Sequence, residues 1–315
     1  MRGLAAMSVL FFHATQSFFP DGSWLKFLFS EGHLGVEVFF VITGFVIPYS
    51  IAHQRNYGYF RFLFMRFFRL FPAYWFSLFV IILVMQLPNI FSQNTDFQWN
   101  MNTENILLHI FMLNPYFNQP WFNTAYWSLA VEFQFYVLVG LIFPILLQNK
   151  LIYRLIFYCL FAISAFISTN IYCTFYAFLF LPGIAFALFQ LQKISVKEFV
   201  LVVIACCVLL YFQRHEWTRP LVIALTIMLM FQNKLTYMGS KKISELSYGI
   251  YLLHIPMLYF IFPYASKIIY APINTHILLL ITCICTYLLA IFQYSFIEKP
   301  FILISKMIIK KTGLK

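Results

Sequence analysis

The sequence predicts an all-α protein, a polytopic transmembrane helical bundle of about ten spans. It forms one integral-membrane domain over residues 1–315, with no separate soluble domain. Hydrophobic residues make up 62% of the chain and charged residues only 10%, against roughly 45–50% and about 25% in soluble domains. Several apolar runs also approach the ~20 residues that a helix needs to cross a bilayer. Such a chain cannot cover itself with polar groups in water, which excludes a soluble enzyme or a disordered protein.

The predicted spans are apolar runs bounded by charged or turn residues. The first run is expected to remain as a span, because no A-x-A-like cleavage site follows it and His13 interrupts it. The spans lie near residues 4–20, 34–51, 70–87, 126–147, 151–168, 171–190, 199–213, 220–232, 248–264 and 275–297.

Basic residues predict the orientation of these spans. The net charge is +11, from 21 Lys and Arg against 10 Asp and Glu. With the N-terminus inside, 17 of the 21 fall in cytoplasmic segments, as the positive-inside rule requires. The four outside are Lys26, Arg214, Arg219 and Lys267. Both termini are therefore expected in the cytoplasm, and the basic excess does not imply a nucleic-acid partner.

The six cysteines lie in or beside apolar runs, and none has the C-x-x-C spacing of a zinc or redox site. We expect them to pack as small apolar side chains. The sequence thus predicts neither a metal site nor a disulfide framework.

Ionisable side chains inside a span are costly, so each is by default a functional candidate. Those in the predicted spans are His13, Glu37, Glu132, His254 and His276. Arg2 lies eleven residues before His13, which is about 16 Å along a helix and within about 20° of the same helix face. A cation at the cytoplasmic end of the first span is therefore expected directly below a buried imidazole.

The two acidic candidates suggest a partner for that imidazole. Glu37 and Glu132 lie about 5 Å and about 9 Å inside the outer ends of their spans, and His13 lies about 10 Å inside its own. If these helices pack together, a carboxylate would orient His13 as a general base requires, and Glu132 is the expected one. The alternative is that His13 only hydrogen-bonds between helices. His254 and His276 fit structural hydrogen bonding as well as a site role.

A basic turn precedes the third predicted span. Arg66 and Arg69 lie in FRFLFMRFFRLFP, where Pro72 is expected to end the turn. Residues three apart share a helix face, so the two guanidinium groups can bind one anion together. The alternative is that they only set the topology and contact lipid headgroups.

A long outer segment over 88–125 has no Lys or Arg and carries Trp99, Tyr116 and Trp121. Aromatic rings beside Asn side chains suit sugar binding, and an interfacial aromatic belt fits them equally well. Within it, Glu104–Leu113 is too short to span a bilayer, so it is expected to be re-entrant or interfacial.

Six motifs follow one another along the chain. They are RGLAAMSVLFFHA (Arg2–Ala14), GVEVFFVITGFVI (Gly35–Ile47), RFFRLFP (Arg66–Pro72), WSLAVEFQFY (Trp127–Tyr136), ISELSYGIYLLHIP (Ile243–Pro256) and FIEKP (Phe296–Pro300). Together they resemble the multi-span enzymes of acyltransferase family 3, the bacterial inner-membrane O-acyltransferases of cell-surface glycans. Thr43 stands where this family more often has Ser.

The resemblance implies a role for each matching residue. His13 is the implied catalytic base, with Glu37 and Glu132 at acidic positions of the same site, and Arg2, Arg66 and Arg69 bind acyl-CoA. Acceptor binding or structural support falls to Trp127, Ser128, Tyr136, Tyr251 and His254. No cofactor is bound permanently; acyl-CoA, expected to be acetyl-CoA, is the co-substrate. The other partners are a glycan or lipid-linked glycan acceptor and membrane lipids.

Two questions stay open at this point. His13 could act as a general base on the acceptor hydroxyl or form a covalent acyl-histidine intermediate. The competing function is a proton-coupled secondary transporter that uses His13 and the two glutamates as a proton relay. The sequence shows no repeat-related halves and no matching pair of broken spans, which argues against a transporter.

Overall fold

The computed structural model describes residues 1–54, 57–91, 102–148, 150–232, 241–269 and 274–313. All regular secondary structure in these ranges is helical. Trp99 of the predicted outer segment lies outside them, as do Arg55, Lys234 and Lys315, three of the 17 basic residues predicted to be cytoplasmic.

The helices of the described ranges follow the predicted apolar runs closely. In chain order they are α1 (Arg2–Phe18), α2 (Trp24–Leu28), α3 (Gly35–Ala52), α4 (Tyr59–Phe91), α5 (Thr103–Ile110), α6 (Tyr126–Leu146), α7 (Leu151–Ile167), α8 (Ala177–Gln190), α9 (Val196–Arg214), α10 (Thr218–Phe231), α11 (Lys241–Ile269), α12 (Thr275–Gln293) and α13 (Lys299–Thr312). Each of the ten predicted runs overlaps one of them. The prediction of an all-helical fold is confirmed.

Seven helical stretches of the described residues are long and apolar enough to cross a membrane. They are Trp24–Ala52, Tyr59–Leu87, Tyr126–Leu146, Cys173–Gln190, Val196–Arg214, Ile243–Ala265 and Thr275–Thr312. The helices α7 and α10 are apolar but shorter, and α1 has 17 residues. The chain is thus a multi-pass membrane protein, while the count of ten crossings and the orientation stay predictions.

One predicted boundary is wrong because a helix continues through proline. The third span was expected to begin near residue 70, after a turn ended by Pro72, but α4 begins at Tyr59 and includes the whole basic segment. Likewise α11 continues through Pro256. Neighbouring helices in a membrane protein can satisfy the backbone groups that a proline frees, so proline does not have to end a helix there.

The closest helix crossing joins α3 to α8. A Cβ atom on Gly44 would lie 2.3 Å from the carbonyl oxygen of Phe180, and one on Gly183 would lie 2.2 Å from that of Val41. Only glycine permits this backbone approach, which is typical of helix packing in membranes. The crossing fixes α3, and α1 then packs against both α3 and α11.

The outer helices differ from this centre. Leu160 of α7, Ile204 of α9 and Leu288 of α12 are all exposed, whereas most side chains of α8 are buried. Exposed leucine and isoleucine on this scale suit contact with lipid. The polar side chains are left to the interior, between α1, α3, α4, α6 and α11.

Candidate functional site

Two interior cavities contain the predicted site residues. The first, which we call the arginine cavity, has a volume of about 420 Å³ and is lined by Arg2, Arg66, Arg69, Ser128, Glu132, Tyr136, Glu245, Tyr248, Tyr251 and Glu298, among others. The second, the histidine cavity, has a volume of about 550 Å³ and is lined by His13, His33, Glu37, Trp121, Thr124, Trp127, Tyr176, Arg214, Arg219 and Tyr251, among others. Val36, Phe40 and Tyr251 line both, so they form the wall between the cavities.

The helix α1 runs past both cavities. Arg2, at its first residue, lines the arginine cavity, and His13 lines the histidine cavity. Eleven residues of uninterrupted helix separate the two side chains, as the sequence predicts. The face of α1 that carries them packs toward α3 and α11, the helices that supply much of both cavity walls.

Arg2 is held by a polar network in the arginine cavity. Its Nη2 atom lies 3.7 Å from Oε1 of Glu132 and donates to the Thr43 hydroxyl at 3.5 Å. The Thr43 hydroxyl donates to the same Glu132 oxygen at 3.2 Å, and the Tyr136 hydroxyl donates to it as well. Thr43 therefore supplies the hydroxyl that the resemblance expects from serine.

Arg66 and Arg69 lie on the continuous helix α4 and line the same cavity. Arg66 donates from Nη2 to the Ser50 hydroxyl at 2.8 Å, and its guanidinium lies 5.7 Å from the centre of the Tyr136 ring. Arg69 is exposed. No carboxylate of the described residues forms an ion pair with either arginine, so both can accept an anionic ligand.

Two acidic residues of this cavity, Glu245 and Glu298, were not among the predicted site residues. Glu298 is buried at the end of a π-helical turn, Tyr294–Glu298, that joins α12 to α13, and it accepts a hydrogen bond from Gln293 at 3.0 Å. Glu245 lies on α11. The FIEKP motif could have pointed to Glu298, because a glutamate at the end of a long apolar run has no obvious structural use there.

A second histidine accompanies His13. The rings of His13 and His254 lie 5.4 Å apart, and His254 is fully buried. Its Nδ1 atom lies 2.7 Å from the Tyr251 carbonyl oxygen, to which it donates as a neutral imidazole. Its Nε2 atom has no hydrogen-bond partner among the described residues. The lone pair at Nε2 is therefore not used by any side chain of the described residues.

The structure does not bring the three predicted catalytic residues together. Glu37 lines the histidine cavity with His13 but forms an ion pair with Arg219, whereas Glu132 lines the arginine cavity with Arg2. The expectation that Glu132 lies nearest to His13 is therefore wrong. Glu132 contacts Arg2, which lies about 16 Å along α1 from His13, so the depth estimated for Glu132 from its span boundary did not match that of His13.

The residues predicted to bind the acceptor or support the site lie at and around the wall. The Ser128 and Tyr251 hydroxyl groups are 2.7 Å apart, and Ser128 also donates to the Ala125 carbonyl at 3.1 Å. Trp127 stacks on Tyr176 with ring centres 5.5 Å apart, and both rings line the histidine cavity. Aromatic faces of this kind suit a sugar ring.

Arg214 and Arg219 are functional candidates that the sequence analysis treated only as outside charges. Both line the histidine cavity. They are two of the four basic residues that break the predicted inside–outside asymmetry, and that exception was the signal that could have found them. Lys26, another of the four, has a surface partner in Asp21 at 2.7 Å.

A buried histidine outside the seven candidate spans shapes one wall of the histidine cavity. His109 of α5 accepts the backbone N–H of Phe122 at Nε2, at 2.9 Å, and its Nδ1 atom lies 2.8 Å from the Asn105 carbonyl oxygen. Its ring stacks on that of Phe122. Burial lowers the pKa of His109 to about 4. These contacts fix the chain next to Trp121, which lines the cavity.

His276 is not part of either cavity. It is exposed at the start of α12, where its backbone N–H donates to the Asn274 side chain at 2.8 Å. Of the two roles considered for His276, structural hydrogen bonding fits these contacts and a site role does not. The predicted short segment Glu104–Leu113 overlaps α5, which has eight residues and is too short to span, as expected.

Known proteins that resemble the chain are acyltransferases. The acyltransferase domain of acyltransferase family 3 matches residues 1–294. A protein of Komagataeibacter xylinus, named as a membrane-bound transacylase, BcsY, is 29% identical over 178 residues. This match covers 51% of the chain and 42% of that protein, so it spans less than half of the relative's length. No solved structure matches the chain.

Proposed function

Because this chain belongs to acyltransferase family 3 and is an acyltransferase, we propose that it transfers an acyl group from acyl-CoA to a hydroxyl group of a cell-surface glycan. The resemblance seen in the six motifs is confirmed, and it favours an enzyme over the proton-coupled transporter. The acyl group is acetyl, and the acceptor is O-antigen, capsule or exopolysaccharide, free or linked to lipid. The protein lies in the bacterial inner membrane, with the arginine cavity toward the cytoplasm.

The observation that carries this proposal is the arrangement along α1. One straight helix presents Arg2 to a cavity that also contains Arg66 and Arg69, and presents His13 to a second cavity. A cavity with arginines near the predicted cytoplasmic face suits an anionic nucleotide, and a cavity with an imidazole and aromatic walls suits a sugar hydroxyl. Only the wall that includes Tyr251 separates the two.

The donor is bound through its phosphate groups. Guanidinium groups bind phosphate oxygens through charge-assisted, often bidentate hydrogen bonds. Arg66 and Arg69 are the main contacts, because Arg2 is already paired with Glu132. The long pantetheine arm of acyl-CoA then extends from the arginine cavity toward the wall, and the thioester reaches the neighbourhood of His13.

The transfer itself needs one proton acceptor and one leaving group. His13 removes the proton of the acceptor hydroxyl while the oxygen attacks the thioester carbonyl carbon. The carbon–oxygen bond forms, the carbon–sulfur bond breaks, and the proton passes to the thiolate of coenzyme A. His254, whose ring lies 5.4 Å from that of His13, positions His13 for this step by ring packing. In the covalent alternative, His13 carries the acyl group between donor and acceptor.

The test is acyl transfer in membranes that contain the protein. Labelled acetyl-CoA is added, and label incorporated into surface glycan is measured for the intact protein, for His13→Ala and for His276→Ala. We expect His13→Ala to lower the rate by about 10²–10⁴, the usual contribution of a general base. His276→Ala is the matched control, because His276 is exposed outside both cavities, and it should retain the intact rate. Incorporation that survives His13→Ala would contradict the assignment.

A further inference from the structure

The basic residues of the histidine cavity indicate which kind of acceptor it takes. We infer that this cavity contains an anion subsite centred on Arg214, and that the acceptor is therefore an acidic sugar whose carboxylate binds Arg214 while one of its hydroxyl groups meets His13. The inference rests on the proposed function for the hydroxyl at His13 but not for the binding of the anion.

Among the described residues, Arg214 is the arginine of the histidine cavity that has no direct acidic partner. The charged residues that line the histidine cavity include Arg214, Arg219 and a single glutamate, Glu37. Glu37 forms an ion pair with Arg219, and Arg219 also binds Glu216, which is exposed. Two carboxylates thus satisfy one arginine. Within the described ranges, no carboxylate lies within ion-pair distance of Arg214, so Arg214 is the arginine of this cavity without a direct acidic partner.

One hydrogen-bond donor of the Arg214 guanidinium is also left without a partner among the described residues. Its Nε atom is buried and has no hydrogen-bond partner in the part of the chain that the structure describes. A buried donor without a partner costs free energy, and a carboxylate placed against the guanidinium would satisfy it. The guanidinium cannot lose its charge to avoid this cost.

Two aromatic rings hold the Arg214 guanidinium in place before a ligand binds. The Arg214 guanidinium lies 4.1 Å from the centre of the Phe175 ring and 5.8 Å from that of Tyr176. Stacking on aromatic rings holds a guanidinium in one orientation, so less side-chain entropy is lost when a planar carboxylate binds. Arg214 also ends α9, and its position is therefore set by a helix rather than a loop.

The aromatic walls of the histidine cavity suit the uncharged part of the ligand. Trp127 stacks on Tyr176, and Trp121 and Thr124 line the same cavity. Aromatic faces beside a hydroxyl suit a sugar ring, and a volume of about 550 Å³ falls in the range of small-molecule sites. A sugar ring against these side chains, with its carboxylate on Arg214, explains both the apolar and the basic walls.

The experiment uses pairs of sugars that differ only in charge. Methyl glucuronide is compared with methyl glucoside, and methyl galacturonide with methyl galactoside, as acceptors of labelled acetyl groups in membranes with the full chain. We expect the acidic member of at least one pair to have a kcat/KM at least about tenfold higher. Arg214→Gln should reduce this preference by about tenfold to a hundredfold, the effect of one charge-assisted hydrogen bond, and Arg214→Lys should retain part of it.

A second measurement does not depend on catalysis. Trp121 and Trp127 line the cavity, so binding of the glycosides without acyl-CoA is followed by tryptophan fluorescence of the purified protein in nanodiscs. The acidic glycoside should bind more tightly than its neutral partner, and Arg214→Gln should remove the difference. Lys26→Gln is the matched control, because Lys26 is another basic residue of the predicted outer side but lines neither cavity. It should keep the difference.

The outcomes separate this inference from the proposed function. If the acidic glycosides bind through Arg214 but no acetyl transfer occurs, the subsite stands and the proposed function fails. If acetyl is transferred equally to acidic and neutral sugars with either residue at 214, the inference is overturned and the proposed function stands. If phosphatidylglycerol in the nanodisc, rather than a glycoside, produces the Arg214-dependent change, the subsite holds a lipid headgroup and the inference is also overturned. Should Arg214→Gln not fold, Arg214→Lys and the comparison of the two sugars on the intact protein still decide.

Discussion

The arginine cavity and the histidine cavity balance their charges differently. In the first, Arg2 is tied to Glu132 within a network that includes Thr43 and Tyr136, whereas Arg66 and Arg69 have no acidic partner in the described residues. In the second, Arg219 is tied to Glu37 and Glu216, whereas Arg214 has no acidic partner there. Each cavity thus contains a neutralised arginine and at least one that can receive an anion.

The unpaired arginines are expected to contribute more to ligand binding than the paired ones. A cation already paired with a carboxylate contributes less to ligand binding than an unpaired one, because the ligand must compete with the carboxylate. We therefore expect Arg2 mainly to position Glu132 and α1, and donor binding to depend more on Arg66 and Arg69.

Among the substitutions that compare the two cavities, the largest effect is expected at the unpaired arginines. Arg66→Ala and Arg69→Ala should each lower kcat/KM for acyl-CoA by about tenfold to a hundredfold, because a charge-assisted bond to phosphate is lost. Lysine at either position should restore only part, since an ammonium cannot bind in a bidentate way. Steady-state kinetics with varied acyl-CoA measure this. Arg61→Ala is the control, because Arg61 lies on the same helix but lines neither cavity; wild-type kinetics in both test variants would reduce these arginines to topological markers.

The next effect concerns the two imidazoles. His254→Asn can still donate to the Tyr251 carbonyl from its amide but removes the lone pair at Nε2. We expect turnover to fall by about tenfold while the KM for acyl-CoA stays the same. Combined with His13→Ala, the loss should be barely larger than for His13→Ala alone, because linked catalytic groups are not additive. Fully additive losses in single-turnover measurements would mean that His254 serves packing alone.

A smaller effect, of opposite sign, is expected at Glu132. Glu132→Gln removes a negative charge from the cavity proposed for an anionic donor, so acyl-CoA should bind more tightly, by roughly twofold to fivefold. Glu132→Asp keeps the charge and is the control. The change should be the same with His13 present or replaced by Ala, because the two side chains line different cavities. A loss of turnover that disappears in the His13→Ala background would restore the expected link between Glu132 and His13.

The smallest effect on activity is expected at His109, which should act on stability. Burial lowers its pKa to about 4 in the folded protein, from 6.5. Its neutral form therefore stabilises the fold fully above about pH 6.5, and this stabilisation is lost as the pH falls from 6.5 through 4. The limit is about 3 kcal/mol, at about 1.36 kcal/mol for each pKa unit.

Thermal unfolding between pH 7 and 4 measures this dependence. His109→Gln keeps a hydrogen-bond acceptor but cannot titrate, so the variant should lose less stability over this range than the intact protein. His276→Gln, which replaces an exposed histidine, should follow the intact protein. Identical curves for all three proteins would show that the buried imidazole does not govern the acid response.

The sequence predicted the helices far better than their ends. Each of the ten predicted apolar runs overlaps a helix because the length and hydrophobicity of a span are local properties. Helix ends near proline were missed, as at Pro72, because the backbone groups freed by proline are satisfied by neighbours that a single sequence does not reveal. The relation of Arg2 to His13 was predicted correctly since it depends only on the period of one helix.

The composition and motifs of this sequence determined three things: a helical membrane protein, its acyltransferase family, and the side chains that could carry the chemistry. Only the tertiary structure decided how those side chains are paired. Glu132 faces Arg2 rather than His13, and His254 comes to lie beside His13 from a helix more than two hundred residues away. Such pairings depend on how each helix is rotated and shifted along its axis against its neighbours, and one residue of difference turns a side chain by about 100°. Hydrophobic periodicity is too coarse to fix that rotation in spans that are apolar on nearly every face.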